Sequence, residues 1–307
     1  MPNSGVFHDG EIAVQVRVGE RAVAERRESM LRDRLNDAAG AFVASQGTVA
    51  VGAAAPDGTL WASLWCGAKG FARTNEAGDR LDIRHALGDA AADPVRSIVS
   101  AGEPLGVLVI DLETRRRLRI NGVVDRSDAA SLEMRIREAF GNCPKYIQKR
   151  VRVEGTVARE ASAHVEQGSN FDDERRGFIA RTDTLFVSSV HPERGVDVSH
   201  RGGHPGFVRS VDDRTLRIPD YPGNSMFQTL GNLEVDTRAG IAFIDFERHR
   251  ALSATGHAVS SFGIEDPAHP TGGTGRYWSF TVDRWIEFSL PLSMTWKLVE
   301  RSPFNPK

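Results

Sequence analysis

The chain has 307 residues, enough for two domains of ordinary size, and its 39 basic and 41 acidic side chains leave a formal charge of −2. That balance supplies no basic field of the kind that holds nucleic acid, and no run approaches the ~18 apolar residues of a membrane span. Two cysteines in unrelated contexts, Cys66 and Cys143, make neither a disulfide framework nor a cysteine-based zinc site; with Asp9 and Glu11 where a signal peptide would be basic and then apolar, a cytoplasmic protein is expected.

Residues 12–40 set apolar residues and Ala near helical spacing among charges, so residues 1–40 are expected to form a helical arm. Thr48–Ala54 and Thr59–Trp65 then flank Pro56-Asp57-Gly58, a hairpin turn in which proline presets φ and Asp-Gly tolerates the reversal. Leu105–Asp111 is a continuous apolar run and Leu118–Val124 alternates; both read as barrel strands, and Arg115-Arg116-Arg117 between them reads as a solvated strand end. From Ser127 to Phe140 the period changes. Ser127 can cap, Leu132, Ile136 and Phe140 share one helical face, and Gly141 and Pro144 end it, which predicts a helix. The polar stretch 151–176, with Gly168-Ser169, is expected to be a linker. Strands are predicted again at Thr184–Val190, Val196–Ser199, Phe207–Val211, Leu216–Ile218, Ala239–Phe246 and Ala251–Ala258, followed by Tyr277–Val282 and Trp285–Phe288.

The second series repeats the first. Phe42 aligns with Phe178, Thr48 with Thr184, Val51 with Val187, Pro56 with Pro192 and Ser63 with Ser199. The match continues through Gly67 and Gly203, Gly70-Phe71 and Gly206-Phe207, Arg73 and Arg209, then after a slip in register Asp111 and Asp245, and Gly122 and Gly256. A period this long is a duplicated domain, not a solenoid. Many short strands, Gly-rich turns and few helices predict a mainly β fold of two barrels. The expected division is a helical arm at 1–40, a first barrel at 41–150, a linker at 151–176 and a second barrel with C-terminal strands at 177–307.

Chemistry concentrates in the second copy. Leu216–Ile218 feeds Pro219-Asp220-Tyr221-Pro222-Gly223 into Met226, Leu230 and Leu233 at helical spacing, so a helix is expected from about Asn224. Free N–H groups at a helix N-terminus, with Asn224 and Ser225 as side-chain donors, suit a phosphate dianion; the same residues also suit a plain cap, and spacing leaves both open. The first copy has His85-Ala86-Leu87-Gly88-Asp89-Ala90 in that place, without the donors and with an acid that repels phosphate. His191, His200 and His204 stand at spacings that aim them apart, so no metal is expected.

The string Ser199-His200-Arg201-Gly202-Gly203-His204-Pro205-Gly206-Phe207-Val208, then Ile218-Pro219-Asp220, Gly223-Asn224 and the closing Ser302-Pro303-Phe304-Asn305-Pro306, resembles the flavin-nucleotide-binding branch of the pyridoxamine 5′-phosphate oxidase superfamily of FMN-binding split barrels. The resemblance implies two tandem split barrels packed as a pseudo-dimer within one chain, the first degenerate, with one FMN in the groove between them. It implies that Phe207, Val208 and Arg209 run along the flavin ring and that Pro219, Asp220 and Tyr221 line its ribityl chain. Asn224, Ser225 and Arg209 would hold the phosphate, and Lys145 and Tyr146 would contact the flavin from the first barrel. Cys143, Arg201 and His204 would face the substrate, with His204 as proton donor because its imidazole titrates near neutrality.

True pyridoxamine phosphate oxidases carry an Arg before the Pro of the segment at 143–147 and a Ser four residues later, which grip the substrate phosphate. Cys143 and Ile147 stand there instead, so that substrate is not expected. The implied activity is an FMN-dependent oxidoreductase on a small organic substrate, with NAD(P)H or a reductase as electron donor and no nucleic-acid or membrane partner, working as a monomer or homodimer. The alternatives are a non-catalytic flavin-binding protein, or a barrel that binds haem or the deazaflavin F420.

Overall fold

The computed structural model describes residues 5–84, 92–128, 130–153, 164–291 and 295–307. Two short helices come first, α1 (Asp9–Arg17) and α2 (Arg21–Glu25), with a 3-10 turn at Glu28–Met30. The first barrel follows: α3 (Asp37–Ser45), β1 (Thr48–Ala54), β2 (Leu60–Cys66), β3 (Ala72–Thr74), β4 (Arg80–Arg84), β5 (Pro104–Asp111), β6 (Arg116–Ser127) and β7 (Ser131–Asn142), then β8 (Lys149–Val153). The second comprises β9 (Val165–Gly168), α4 (Asp173–Arg181), β10 (Thr184–His191), β11 (Gly195–Gly202), β12 (Arg209–Ser210), β13 (Thr215–Pro219), α5 (Gln228–Val235), β14 (Arg238–Asp245), β15 (Arg250–Ser261), β16 (Tyr277–Ser289) and β17 (Thr295–Glu300). Asn36 and Asp172 cap α3 and α4 alike, each side chain accepting from the backbone N–H three residues on.

One sheet runs β2-β1-β5-β6-β7-β4-β3 and the other β11-β10-β14-β15-β16-β13-β12, which is the same order when strands are numbered by their place in each copy. Register repeats as well. Val51 faces Ser63 across β1 and β2, Val187 faces Ser199 across β10 and β11, and Gly122 and Gly256 both sit at a bulge. The protein is two tandem split barrels packed as a pseudo-dimer.

Alternation along the strands builds three cores. In β1, Val49, Val51 and Ala53 enter the first barrel while Ala50 turns outward; in β5, Leu105, Val107 and Val109 go inward while Leu108 and Ile110 turn out. The outward set meets Phe186, Val198, Ala242 and Ile244 of the second barrel, so both faces of these strands are buried and their sequences read as unbroken apolar runs. The contact is reciprocal, as in an isologous dimer. Gly106 of β5 rests on the backbone of Val196 and Asp197, and Gly240 of β14 on Leu60 and Trp61, where a Cβ would come within 2.6 Å of the Leu60 carbonyl oxygen.

Three sequence expectations are corrected. The helix expected at 127–140 is not found, because Ser131–Asn142 is strand: spacings of four fit a helical face, but they are also even, and Leu132, Met134 and Ile136 point inward between outward Glu133, Arg135 and Arg137. The two C-terminal aromatic segments are one strand, β16, in which a bulge opposite Thr255 and Gly256 takes up Asp283 as an extra residue. The helix expected at Asn224 begins at Gln228, because Ser225 and Phe227 adopt left-handed φ of 61° and 62°. The stretch expected as a linker contains β9 and the start of α4, and residues 154–163 lie outside the described residues. The segment His85–Ala90, with Asp89, also lies outside them. At the N-terminus, α1 lies on α5, with Gly10 against the Gly231 carbonyl. No described helix is long and apolar enough to cross a membrane.

Candidate functional site

Where β6 and β7 of the first barrel meet β11 and the β13–α5 loop of the second, the structure encloses a cleft of about 800 Å3, open mouth included. Phe207, Tyr146, Tyr221 and Phe227 supply aromatic walls, and Arg117, Arg119 and Arg201 supply cations.

The three arginines differ in their partners. Arg119 is buried, its Nη1 lies 3.2 Å from Asp197, and its Nη2 donates to the Ser199 hydroxyl. Arg201 lies 3.4 Å from Asp220, a carboxylate it shares with Arg276 at 2.9 Å. Arg117 has no carboxylate against it among the described residues. Its Nε donates to the Cys143 carbonyl at 2.9 Å, its Nη1 to His200 Nδ1 at 3.0 Å, and its Nη2 approaches the Cys143 sulfur at 3.6 Å. Burial pulls the guanidinium down to about 10, against the opposing pull of Cys143.

That contact also fixes the His200 tautomer. Guanidinium nitrogens only donate, so Nδ1 accepts and the ring proton sits on Nε2, which is buried and has no partner. Burial, then Arg117, Arg201 and Arg150, hold the imidazole pKa well below its ordinary value, so the ring is neutral. Gln228 Nε2, Arg119 Nε and Arg201 Nε are likewise buried donors without partners. The first turn of α5 opens onto the cleft through Gln228 and Thr229, and no side chain caps it.

Tyr146 is held in a left-handed conformation, φ 67°, by the C-terminal segment. Its N–H donates to Ser302 Oγ at 3.1 Å, its carbonyl accepts from Gln148 Nε2 at 3.0 Å, and its hydroxyl donates to the Pro222 carbonyl at 3.0 Å. The ring packs on Tyr221 at 4.9 Å, and burial raises both phenols, Tyr146 to about 12.

Of the residues singled out in the sequence, Cys143, Tyr146, Arg201, Phe207, Pro219, Asp220, Tyr221, Asn224 and Ser225 line this one cleft. Four do not. Val208 is buried in the core of the second barrel, Arg209 is exposed on β12, and His204 is exposed in the turn before it. Lys145 places its ammonium 5.7 Å over the Phe304 ring instead. Sequence reasoning missed Arg119, Asn142, Gln228 and Thr229, read Arg117 as a solvated strand end, and gave His200 no role in the cleft. Their signal lay in the alignment of the copies, which sets Arg117 and Arg119 opposite Ala251 and Ser253.

Among the described residues one group could hold a metal ion: His8, Asp9 and His191. Both imidazoles accept backbone N–H bonds at Nδ1, His8 from Glu11 and His191 from Glu193 and Arg194, which leaves the proton on Nε2 and no lone pair there for a cation.

No protein-family model matches the chain, and no curated protein matches it. Among solved structures, HupZ of Group A Streptococcus is 19% identical with a TM-score of 0.31, covering 41% of this chain and 98% of that one. A candidate pyridoxamine 5′-phosphate oxidase from Lactobacillus delbrueckii is 10% identical with a TM-score of 0.31, covering 38% and 93%. An F420 reductase is 15% identical with a TM-score of 0.24, covering 40% and 96%. The fold assignment itself stands on the repeated sheet order and register.

Proposed function

We propose that the chain binds one flavin mononucleotide in this cleft and uses it as an oxidoreductase on a small organic substrate. The observation that carries the reading is the charge pattern: a guanidinium with no facing carboxylate, Arg117, among buried side-chain donors that lack partners. Such an environment is costly unless an anionic acceptor completes it. FMN fits, having a phosphate dianion, ring carbonyls that accept hydrogen bonds, and an aromatic face for the Phe207, Tyr146 and Tyr221 walls.

When bound, the flavin would supply hydride or electron transfer. The residues of this chain would bind and orient it. The uncapped turn of α5, with Asn224 and Ser225, and the cations Arg117 and Arg201 are the groups suited to the phosphate and ring oxygens, in place of Arg209. Tyr146, clamped by the C-terminal segment, would limit water at the mouth. NAD(P)H or a reductase would donate electrons. Both walls of the cleft come from one chain, so a monomer suffices. A haem is disfavoured because His200 Nε2, carrying its proton, presents no lone pair to iron.

Titration of the purified protein with FMN, read by quenching of flavin fluorescence, tests the binding; one equivalent per chain is expected. F420 titrated in parallel tests the deazaflavin reading. Failure of both to bind overturns the proposal. Binding of FMN without reduction by NADPH or NADH, or by a supplied reductase, would leave a flavin-binding protein without the activity.

A further inference from the structure

We propose that a second cavity beside the first is the route by which protons reach it, with Glu138 taking them from solvent and Asp197 handing them to the Ser199 hydroxyl. The proposal rests on the flavin reading, because two-electron flavin chemistry takes up or releases protons.

The acid–base groups of the first cleft are engaged: Asp220 is ion-paired with Arg201 and Arg276, and the Cys143 sulfur takes the Arg117 Nη2 contact. His204 is exposed outside it, and His200 is already neutral, so its remaining proton leaves only by making an imidazolate. The Tyr146 phenol is raised to about 12. The second cavity, about 730 Å3 with its open mouth included, is lined by Glu11, Glu138, Asn121, Arg194, Asp197 and Gln228, of which Gln228 lines the first as well.

Asp197 is buried and joins the two. On the second-cavity side its Oδ1 accepts from Asn121 Nδ2 at 3.1 Å, and the same amide lies 3.5 Å from Glu138 Oε1. On the other side its Oδ2 stands 3.5 Å from Ser199 Oγ. That hydroxyl already accepts from Arg119 Nη2 and from Thr229 Oγ1, so both lone pairs are used and its hydrogen is free to point at Asp197 or into the first cleft.

In the transfer, Ser199 Oγ gives its hydrogen to an acceptor in the first cleft and, on the electron pair so freed, takes the proton that Asp197, 3.2 Å from Arg119 Nη1, has received from Glu138. Water in the second cavity returns a proton from Glu138 to Asp197, and bulk water recharges Glu138. One proton moves and no electron does.

The groups around this path favour stored protons. Burial first, then Asp197, raises Glu138 to about 7, against Arg119, Arg194 and Asn121. Burial, then Glu138 and Asp197, raises Glu11 to about 8 against the His8 N–H and Arg194. His8, which caps α1, Arg137 on β7 and Glu193 in the β10–β11 turn are the other titratable or charged groups of the lining.

Among the described residues, the other half of the molecule holds no such path. The Asn121–Glu138 rung corresponds to Thr255–Arg284, and Asp197 corresponds to Trp61, with the Arg284 guanidinium 5.9 Å from that ring. On that side the counterpart of Ser199, Ser63, donates to the buried Asp93, and the described residues place no Glu138–Asn121–Asp197 series behind it.

The test uses full-length protein loaded with FMN, reduced without oxygen by dithionite, then mixed with oxygen from about pH 5.5 to about pH 9 in H2O and D2O. Reoxidation consumes a proton as hydrogen peroxide forms. Glu138→Gln is expected to slow it about tenfold near neutrality, remove the inflection near pH 7 seen in the parent, and recover with added acetate entering through the second cavity. Asp197→Asn should show the same loss; if that variant does not fold, Glu138→Gln decides alone. In the FMN-free protein, infrared spectroscopy should show a protonated-carboxyl band that is lost as pH climbs through about 7 and is missing from Glu138→Gln; a Glu138→Gln protein that keeps that band, or that binds FMN and keeps the parent's pH profile and isotope effect, overturns the relay. A parent that takes up no FMN overturns the flavin reading first.

Discussion

On the side of the cleft, β6 sends Arg117 and Arg119 into the barrel interface, β7 ends on Asn142, and β11 sends His200 and Arg201. Across the pseudo-twofold the same rungs hold Ala251 and Ser253 of β15, Phe288 of β16, and Leu64 and Trp65 of β2. Leu64, Ala251 and Phe288 are buried in the apolar cluster between the barrels. Ser253 turns its hydroxyl onto the Ala62 carbonyl at 2.6 Å, and Ser63, the counterpart of Ser199, donates to Asp93 at 2.6 Å. The backbone order is the same on both sides. Side chains at a few rungs decide that one side is cationic and open and the other apolar and filled, so the binding reading belongs to those rungs and not to the fold.

The most disruptive way to test that contrast is to put the cation on the wrong side. Ala251→Arg buries a guanidinium in the apolar cluster between the barrels, and should lower unfolding free energy by about 3–5 kcal/mol in urea melts. A variant as stable as the parent that takes up a second equivalent of FMN would mean that the filled side is a latent site. On the open side the converse substitution, Arg117→Met, should weaken FMN binding about 30- to 100-fold, or about 2–3 kcal/mol, through loss of a charge-assisted hydrogen bond. Its melting temperature should hold or rise, because the cation is desolvated without an ion pair. A lower melting temperature with unchanged affinity would make Arg117 a structural residue.

The same contrast explains what was legible in the sequence. The duplication was, because Val51 with Ser63 and Val187 with Ser199 keep one cross-strand register, and register repeats leave aligned residues. The second-barrel half of the cleft was also legible, since Phe207 and the run Pro219–Ser225 lie close together along the chain. The first-barrel half was hidden by a barrel's usual rule that outward means solvent. Arg115, Arg116 and Arg117 look like one solvated cluster, yet Arg115 binds the Ile147 carbonyl and Glu300, Arg116 stacks on Phe42, and Arg117 enters the cleft. In a pseudo-dimer the outer face of one barrel is the inside of the pair. Small residues at Ala251 and Ser253 in the second copy mark that face as buried, which makes arginines in the same places of the first copy informative. The strand at 131–142 was misread because spacings of four belong to both periods.

A smaller effect separates the two sides by pH. Glu11, on the helix that packs against α5 of the second barrel, has its folded pKa raised from 4.5 to about 8 by burial. A raised carboxyl binds more protons folded than unfolded, so its stabilising contribution is complete below the unfolded value and is lost as pH climbs through about 8. The melting temperature should therefore fall between about pH 5 and about pH 9, and Glu11→Gln, which can still accept from the His8 N–H, should flatten that fall by a few degrees, about 2–4 °C per kcal/mol. An unchanged slope would assign the pH dependence to Glu138 or to groups elsewhere.

The smallest expected effect is the one that discriminates between sequence and structure. Arg209 aligns with Arg73 two residues past the aligned Gly206-Phe207 pair, and the family resemblance gives it the phosphate. In the fold it occupies a two-residue strand, is exposed, and pairs with Arg217 across β13, outside the cleft. A charge so placed is screened within about 8 Å at physiological salt. Arg209→Ala should leave FMN affinity within about twofold, and the small change should vanish at high salt, whereas the Arg117→Met loss should persist because its charge is desolvated. If the ranking came out reversed, with Arg209 essential and Arg117 dispensable, the phosphate would have to lie beyond the β12 edge, and the walls of the cleft would then be packing for a ligand bound elsewhere.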